Sequence, residues 1–498
     1  MPPYILKPLN PKKFDFWKAW HLLGRAGFGG SREQIETLQS MGLRDTVDHI
    51  LNFESHPYES TAWNRFDHDI MSPRTPEQQR SIQKARSSGD EAAIEAFRME
   101  RQKRQRADRE QMIELRNWWM QRMIESPRPL EEKMTLFFHG HFAASYRGIE
   151  DSYHMFMQNE LFREFATGNF KKLTHRIIRD PAMIKYLNNN QNRKQAPNEN
   201  LARELMELFT LGEGNDYTEA DIKEGARALT GFTYDDDTFA YRRGMHDPGS
   251  KTILAQTGKW TGDDFVNIIF SRKSASEFLC FKLYRFFVND AAEPSRVGKT
   301  FIVELAKQFR EADYELRPIL RTLFSSAHFY DEKNVSAIIK SPIQLIVQAI
   351  RSLNTPVRDV RDLVVAGALM GQSIFQPPSV KGWNGGRAWI NTSSLFIRQN
   401  LMIYLLTGLR PDAYPWQTDH LETFDAMPLV EHLRDEQGRL DSLSVFDWLL
   451  RFNLGGTPHP NRLSVLDDYL RSRGDRIDNT RLIGLLSLIT SMPEYQLC

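Results

Sequence analysis

Cysteine is nearly absent from this 498-residue chain, which has only Cys280 and Cys498. A disulfide framework is therefore excluded, and the count suits a reducing compartment. An excess of charge of one sign is missing too. Lys and Arg total 65 against 64 Asp and Glu, so no global field favours nucleic acid or an anionic membrane, and any charged site must be local. No stretch approaches the ~20 apolar residues that span a bilayer. The opening Met1-Pro2-Pro3-Tyr4-Ile5-Leu6-Lys7-Pro8 lacks the basic-then-apolar layout of a secretory signal, and a cytoplasmic protein is the expectation. No β-run precedes Gly27-Phe28-Gly29-Gly30 and no Gly-Lys-Ser/Thr follows it, so it reads as a turn between helices and not as a phosphate loop.

What is present is helical periodicity with explicit start signals. Ser31 with Gln34, and Thr218 with Asp221, have capping-box spacing; Asp90 can cap a long helix, and Pro181 stands where a first helical turn tolerates it. Aromatic alternation around His246-Asp247-Pro248-Gly249 suggests strands instead. The expected fold is all-α, a multi-helix globular array, with a small β-hairpin excursion near residues 233–258. The expected organisation is an N-terminal helical part (1–62), a charged helical insertion (63–126), a main helical domain (127–400) and a C-terminal helical extension (401–498). Within the insertion, Arg101, Lys103, Arg104, Arg106 and Arg109 crowd a segment with almost no apolar face; it reads as a solvated projecting helix or as a basic arm.

The densest polar pattern is the stretch Asn198 to Gly212. Asn198 is placed to cap it, Glu199 lies in the first turn, and Gly212 stands where a terminating glycine is expected. At 100° per residue, Leu201, Ala202, Leu205, Met206, Leu208 and Phe209 share one arc. Glu199, Asn200, Arg203, Glu204, Glu207 and Thr210 share the other. Glu199/Arg203 and Arg203/Glu207 are i,i+4 pairs. A short connection to the next helix is expected to bring Arg227 towards that polar face. The amide-rich Asn188 to Arg193 is either a tight loop or the lining of a cleft.

Histidines supply the other candidate groups. His139 and His141 are two apart, about 200° around a helix, so one ligand can take both only if the helix frays at Gly140. His246 sits at the hairpin excursion. The irregular Gly- and Trp-rich segment from Phe375 to Trp389 has the character of a functional ordered loop. Lys282, Arg285, Arg317 and Arg321 lie at helical spacing and either ring a cleft or lie on the surface.

Several of these motifs together resemble a known family. Arg25 to Gly29, Leu136 to Phe142, Gly168-Asn169-Phe170, Asp180 to Met183, Pro197 to Gly212, Tyr217-Thr218, Ala228 to Gly231, His246-Asp247, Lys340-Ser341-Pro342 and Gly382-Trp383 are similar to the bacterial domain of unknown function eighteen-hundred family. The similarity spans roughly Trp17 to Leu401. It implies a largely helical fold and no reaction. Many members are exported and encoded beside a sulfatase-like family, which implies a protein partner of that kind; this chain shows no export signal.

Two functions follow as expectations. In the first the chain is an enzyme, a hydrolase, with Glu199 and Glu204 as general base or metal ligand. His139, His141 and His246 are then ligands of a divalent metal or proton carriers, and Arg203 or Arg227 steadies negative charge. The Glu-x-x-His spacing of di-iron bundles is missing, which counts against iron. In the second the same groups are a satisfied ion-pair network in a non-catalytic binding or assembly protein, with the basic arm and the tryptophan loop meeting a protein partner. Nucleic-acid binding is a weaker third, resting only on the arginine cluster.

Overall fold

The computed structural model describes residues 4–58, 65–409, 424–455, 463–466, 468–469 and 477–498. The expected boundary at 62/63 lies outside the described residues. The chain is mainly helical, with two small antiparallel two-stranded sheets among the described residues. Also among the described residues, no helix is long and apolar enough to cross a membrane.

Side-chain caps start many of the helices, those at Ser31, Asp90 and Thr218 as expected from sequence. Asp15 caps α1 (Phe16–Ala26), Ser31 and Gln34 form a capping box at α2 (Arg32–Leu51), and Thr75 with Gln78 opens α3 (Pro76–Ser88). Gly89 closes α3 in the left-handed region, and Asp90 then caps α4 (Glu91–Glu125), so α3 and α4 pair as a hairpin. The basic stretch of α4 is not uniformly solvated. Arg101, Lys103, Arg106 and Arg109 are exposed, while Arg104 donates to the carbonyl of Ile70 at 2.7 Å. Buried Asp108 accepts from the Tyr146 hydroxyl and the Ser152 N–H, both at 2.7 Å.

The body is built around α5 (Pro129–His141), buried on all sides from Leu130 to His139. A helix buried all round has neighbours on every face. Here they include α1, α2, α4 and α7 (Ser152–Glu164), which follows the single turn α6 (Tyr146–Ile149). At its C-terminal end Phe138 and Phe142 meet Phe162, Phe170 and Phe209 with ring centroids 5.2–6.4 Å apart. Phe170 opens α8 (Phe170–Ile177), and α9 (Pro181–Tyr186) leads into the amide loop. That loop is a structural tie: Asn189 Nδ2 donates to the Phe232 carbonyl (2.9 Å) and Asn192 Nδ2 to the Ala226 carbonyl (2.9 Å).

The Asn198–Gly212 stretch departs from the continuous α-helix expected. It is α10 (Asn200–Glu204) followed by one π-helical turn (Leu205–Thr210), with Leu211 N bonding to Met206 O at 2.8 Å. The N-cap position falls to Glu199, whose side chain makes no cap bond, and the expected cap Asn198 lies one residue earlier, its Oδ1 accepting from Asn200 N (3.0 Å). Gly212 ends it at φ +90°, as its position requires. The wider turn changes which residues face inward. Buried pairs recur every four residues, at 201–202, 205–206 and 209–210. Thr210, expected on the polar arc, is fully buried, and Leu208, expected on the apolar arc, is half-exposed.

After α11 (Glu219–Ala228) come two hairpins where one was expected. β1 (Phe232–Asp235) pairs with β2 (Thr238–Tyr241), and β3 (Lys251–Ile253) with β4 (Gln256–Gly258). Helices then return as α12 (Gly262–Phe270), α13 (Lys273–Phe287), α14 (Arg296–Glu311), α15 (Leu316–Ser325), α16 (Pro342–Leu353), α17 (Val360–Leu369), α18 (Thr392–Thr407), α19 (Ser442–Leu454) and α20 (Asn479–Ser491). One hydrophobic cluster runs from Leu6 to Tyr495. The last residues return to the centre, where Cys498 N bonds to Ile338 O at 2.8 Å.

Candidate functional site

The polar edge of α10 is an ion-pair cluster around one arginine. Arg203 contacts Glu199 (3.0 Å), Glu207 (3.5 Å) and, across to α11, Glu219 (2.7 Å). The two predicted i,i+4 pairs are therefore present, and Glu219 joins them. Glu204 is half-buried, and burial raises its pKa. Arg227 does not reach this edge. Its guanidinium turns to Glu224 (2.8 Å) and Asp247 (2.7 Å), because the β3–β4 hairpin packs on α11 and brings Asp247 beside it.

The histidines are likewise apart. α5 does not fray at Gly140, so His139 and His141 keep their helical divergence. His139 Nε2 accepts from Phe375 N at 2.8 Å, and burial holds its pKa down at about 3. His141 Nε2 donates to the Phe209 carbonyl (2.9 Å), leaving Nδ1 to accept from Lys282 Nζ (3.3 Å). Burial and the Lys282 charge both lower the His141 pKa, so the ring is neutral. His246 Nδ1 donates to the Thr230 carbonyl at 2.9 Å beside the Tyr241 ring. Among the described residues, no three or more His, Cys, Asp or Glu side chains are arranged to hold a metal ion.

One of the predicted residues, His141, lines a cavity of about 310 Å³. The walls come from α1, α5, α13, the start of α16 and the loop 375–389. Cations dominate its lining: Arg25, Lys133, Lys282, Arg285, Lys340 and Lys381. Against these stand the Asp290 carboxylate and the end of the chain at Cys498.

The cations grade from rim to floor. The Lys381 side chain is 59% exposed and pairs with Glu213 (3.0 Å). Lys282 and Arg285, one turn apart on α13, are half-buried. Lys133 and Lys340 are 6% and 1% exposed. Lys133 Nζ donates to Gln344 Oε1 and lies 5.0 and 5.2 Å from the Phe28 and Phe286 ring centroids. Lys340 Nζ donates to the Tyr495 carbonyl (2.8 Å) and lies 4.0 Å from the Tyr495 ring centroid. Burial lowers the pKa of Lys133, Lys282 and Lys340 to about 8 each. Arg25 differs, since its guanidinium is spent on the carbonyls of Phe287, Val288, Asn334 and Cys498 at 2.6–3.0 Å.

The π-turn connects the sequence landmark to this cavity. A helix leaves its last carbonyls without internal partners. Here Leu208 O accepts from Lys282 Nζ (3.3 Å) and Phe209 O from His141 Nε2. The tryptophan loop closes the opposite side by backbone contact. Gly382, at φ +74°, passes so near α5 that a Cβ there would lie 2.1 Å from the Gly140 carbonyl oxygen. That approach lays Trp383 against Gly140 and, at 5.5 Å between ring centroids, against His139.

Sequence reasoning singled out His141, Lys282, Arg285 and the loop 375–389, and it missed Lys133. The signal present in the sequence was the largely apolar run Met134 to Phe138 that follows it on the same helix. Arg317 and Arg321 lie elsewhere, pairing with Glu54 and Asp48 (2.7 Å for the latter).

The fold and site thus define a mainly helical protein with a cation-lined cavity open to solvent at its rim. The chain belongs to the family described as protein of unknown function (DUF1800), which matches residues 21–497. No curated protein and no solved structure matches it.

Proposed function

We propose that this protein binds an anionic small molecule in the cavity between α5, α13 and the loop 375–389. The observation that supports this is the acceptor deficit on its walls. Lys133 and Lys340 are buried ammonium groups, each with three N–H donors, and among the described residues each donates to one protein acceptor, a neutral oxygen. Among the described residues neither has a carboxylate side chain within ion-pair distance. Arg285 Nε is buried and has no hydrogen-bond partner. Burying a charge costs several kcal/mol per ion; the negative charge at Cys498 offsets part of that at both lysines, and an oxyanion supplies further negative charge and the missing acceptors. Rim lysines over a low-dielectric interior also focus field on such a ligand.

The test is thermal unfolding with increasing inorganic phosphate or sulfate at constant ionic strength. A ligand bound only by the folded protein raises the midpoint by mass action. A saturable rise that disappears in Lys133→Met and Lys340→Met supports the reading. No rise, or an undiminished rise in both variants, overturns it.

A further inference from the structure

The cavity has a second property that an inorganic ion does not use. About 310 Å³ is the room of roughly ten water molecules at about 30 Å³ each, well beyond one tetrahedral oxyanion. The space above the buried lysines is aromatic. Phe286 lies 5.2 Å from Lys133 Nζ and packs edge-on against Phe137 at 5.1 Å, and Trp383 lines the other side over Gly140. The floor is the start of α16, a 12-residue helix capped by Ser341, whose dipole adds positive potential beside Lys340 and Gln344. The most deeply buried ammonium groups therefore lie by the start of α16, with Lys282, Arg285 and Lys381 nearer the rim, and flat apolar surface lines part of the walls.

Resting on the anion-binding reading, we propose that the ligand is an amphipathic organic anion. Its oxyanion head sits at Lys133 and Lys340 by the start of α16, and its flat aromatic body lies between Phe137 and Phe286 on one side and Trp383 on the other. The loop 375–389 then acts as the wall that selects the body, and the lysines select the head. Gly382 brings that wall close, because its backbone passes where a Cβ would clash with the Gly140 carbonyl oxygen.

Titration calorimetry with inorganic phosphate, phenyl phosphate and phenol separates these claims. Phenyl phosphate is expected to bind at least tenfold more tightly than phosphate, with phenol weaker than phenyl phosphate by a similar factor. Trp383→Ala is expected to lower phenyl phosphate affinity towards that of phosphate and leave phosphate binding unchanged. Lys133→Met and Lys340→Met are expected to weaken both anions at least tenfold; if one of them fails to fold by circular dichroism, the other carries the test. Equal affinity for phosphate and phenyl phosphate overturns the aromatic body and leaves anion binding standing. Binding of neither anion, or phenol matching phenyl phosphate, overturns both.

Discussion

Glu132 and Lys133 are consecutive buried residues of α5, and they meet opposite treatment. The Glu132 carboxylate is fully enclosed by donors: Arg163 at 2.8 and 3.0 Å, Trp119 Nε1 at 2.9 Å, and Arg122. Glu131 and Glu160 add their carboxylates to the same arginines. About 100° further around the helix, Lys133 has one amide oxygen and two aromatic faces. Both groups are desolvated, yet one region closes its own hydrogen bonds and charge while the other leaves them open. A closed network of this kind holds α4, α5 and α7 in register, whereas an open one is complete only with something bound.

Removing the closed network's hub is therefore the largest expected effect. Glu132→Gln leaves Arg122 and Arg163 buried without their carboxylate and should cost about 3–5 kcal/mol, measured by denaturant unfolding. Lys133→Met should change stability by about 1 kcal/mol or less, since it removes a desolvated charge with no carboxylate side chain in ion-pair contact among the described residues, while leaving Gln344 without one donor. Equal losses in the two variants would erase the distinction between the regions.

The same contrast has a pH signature of somewhat smaller size. The Arg163 and Arg122 charges hold Glu132 at about 2 in spite of its burial, against an ordinary value of 4.5. A depressed carboxylate stabilises the fold above its unfolded pKa. That contribution, about 3 kcal/mol at 1.36 kcal/mol per unit, should be lost as pH falls from 4.5 towards 2. Lys133 and Lys340 are lowered from 10.5 to about 8. Between those values the unfolded chain holds more protons, so stability should rise with pH there, while anion binding weakens as the ammoniums discharge. Unfolding midpoints and phosphate affinity measured across pH 7–10 should move in opposite directions. Midpoints that stay flat or fall in that range would refute the assignment.

Gly382→Ala attacks the cavity wall. An L-residue at φ +74° costs about 1–2 kcal/mol, and the Cβ meets the Gly140 carbonyl at 2.1 Å. Unfolding should register a loss of that order or more, and phenyl phosphate should lose more affinity than phosphate as Trp383 moves. Loss confined to stability, with the affinity ratio intact, would detach the loop from ligand selection.

How far the sequence announced this arrangement differs by element. The caps at Ser31, Asp90 and Thr218 depend on neighbours within four residues, and local chemistry is enough to read them. The π-turn is not readable, because local sequence dictates only a 3.6-residue period and the extra residue goes with the tertiary burial of Thr210. The polar edge of α10 drew attention by its density, and its two local pairs are there. Arg227 went to Asp247 because a hairpin intervened, which no helical spacing encodes. The cavity is assembled from residues as far apart as Arg25, Lys133, Lys282 and Lys340. A buried lysine and a surface lysine look alike in one sequence, so its cationic lining appears only once the chain is folded.

The smallest expected effect falls on Lys381, at the rim. Its pair with Glu213 is exposed on both sides, and such pairs contribute roughly 0–1 kcal/mol. Lys381→Ala should leave stability nearly unchanged. Its charge nevertheless lies at the mouth of a cavity whose deeper cations attract the ligand, and rim charges act on association rate more than on the bound state. Stopped-flow binding of phenyl phosphate at low salt should show a reduced on-rate with the off-rate preserved, and added salt should narrow the gap because exposed charges are screened within about 10 Å at 0.1 M. A change in off-rate instead would put Lys381 in contact with the bound ligand and move the boundary between rim and floor inward.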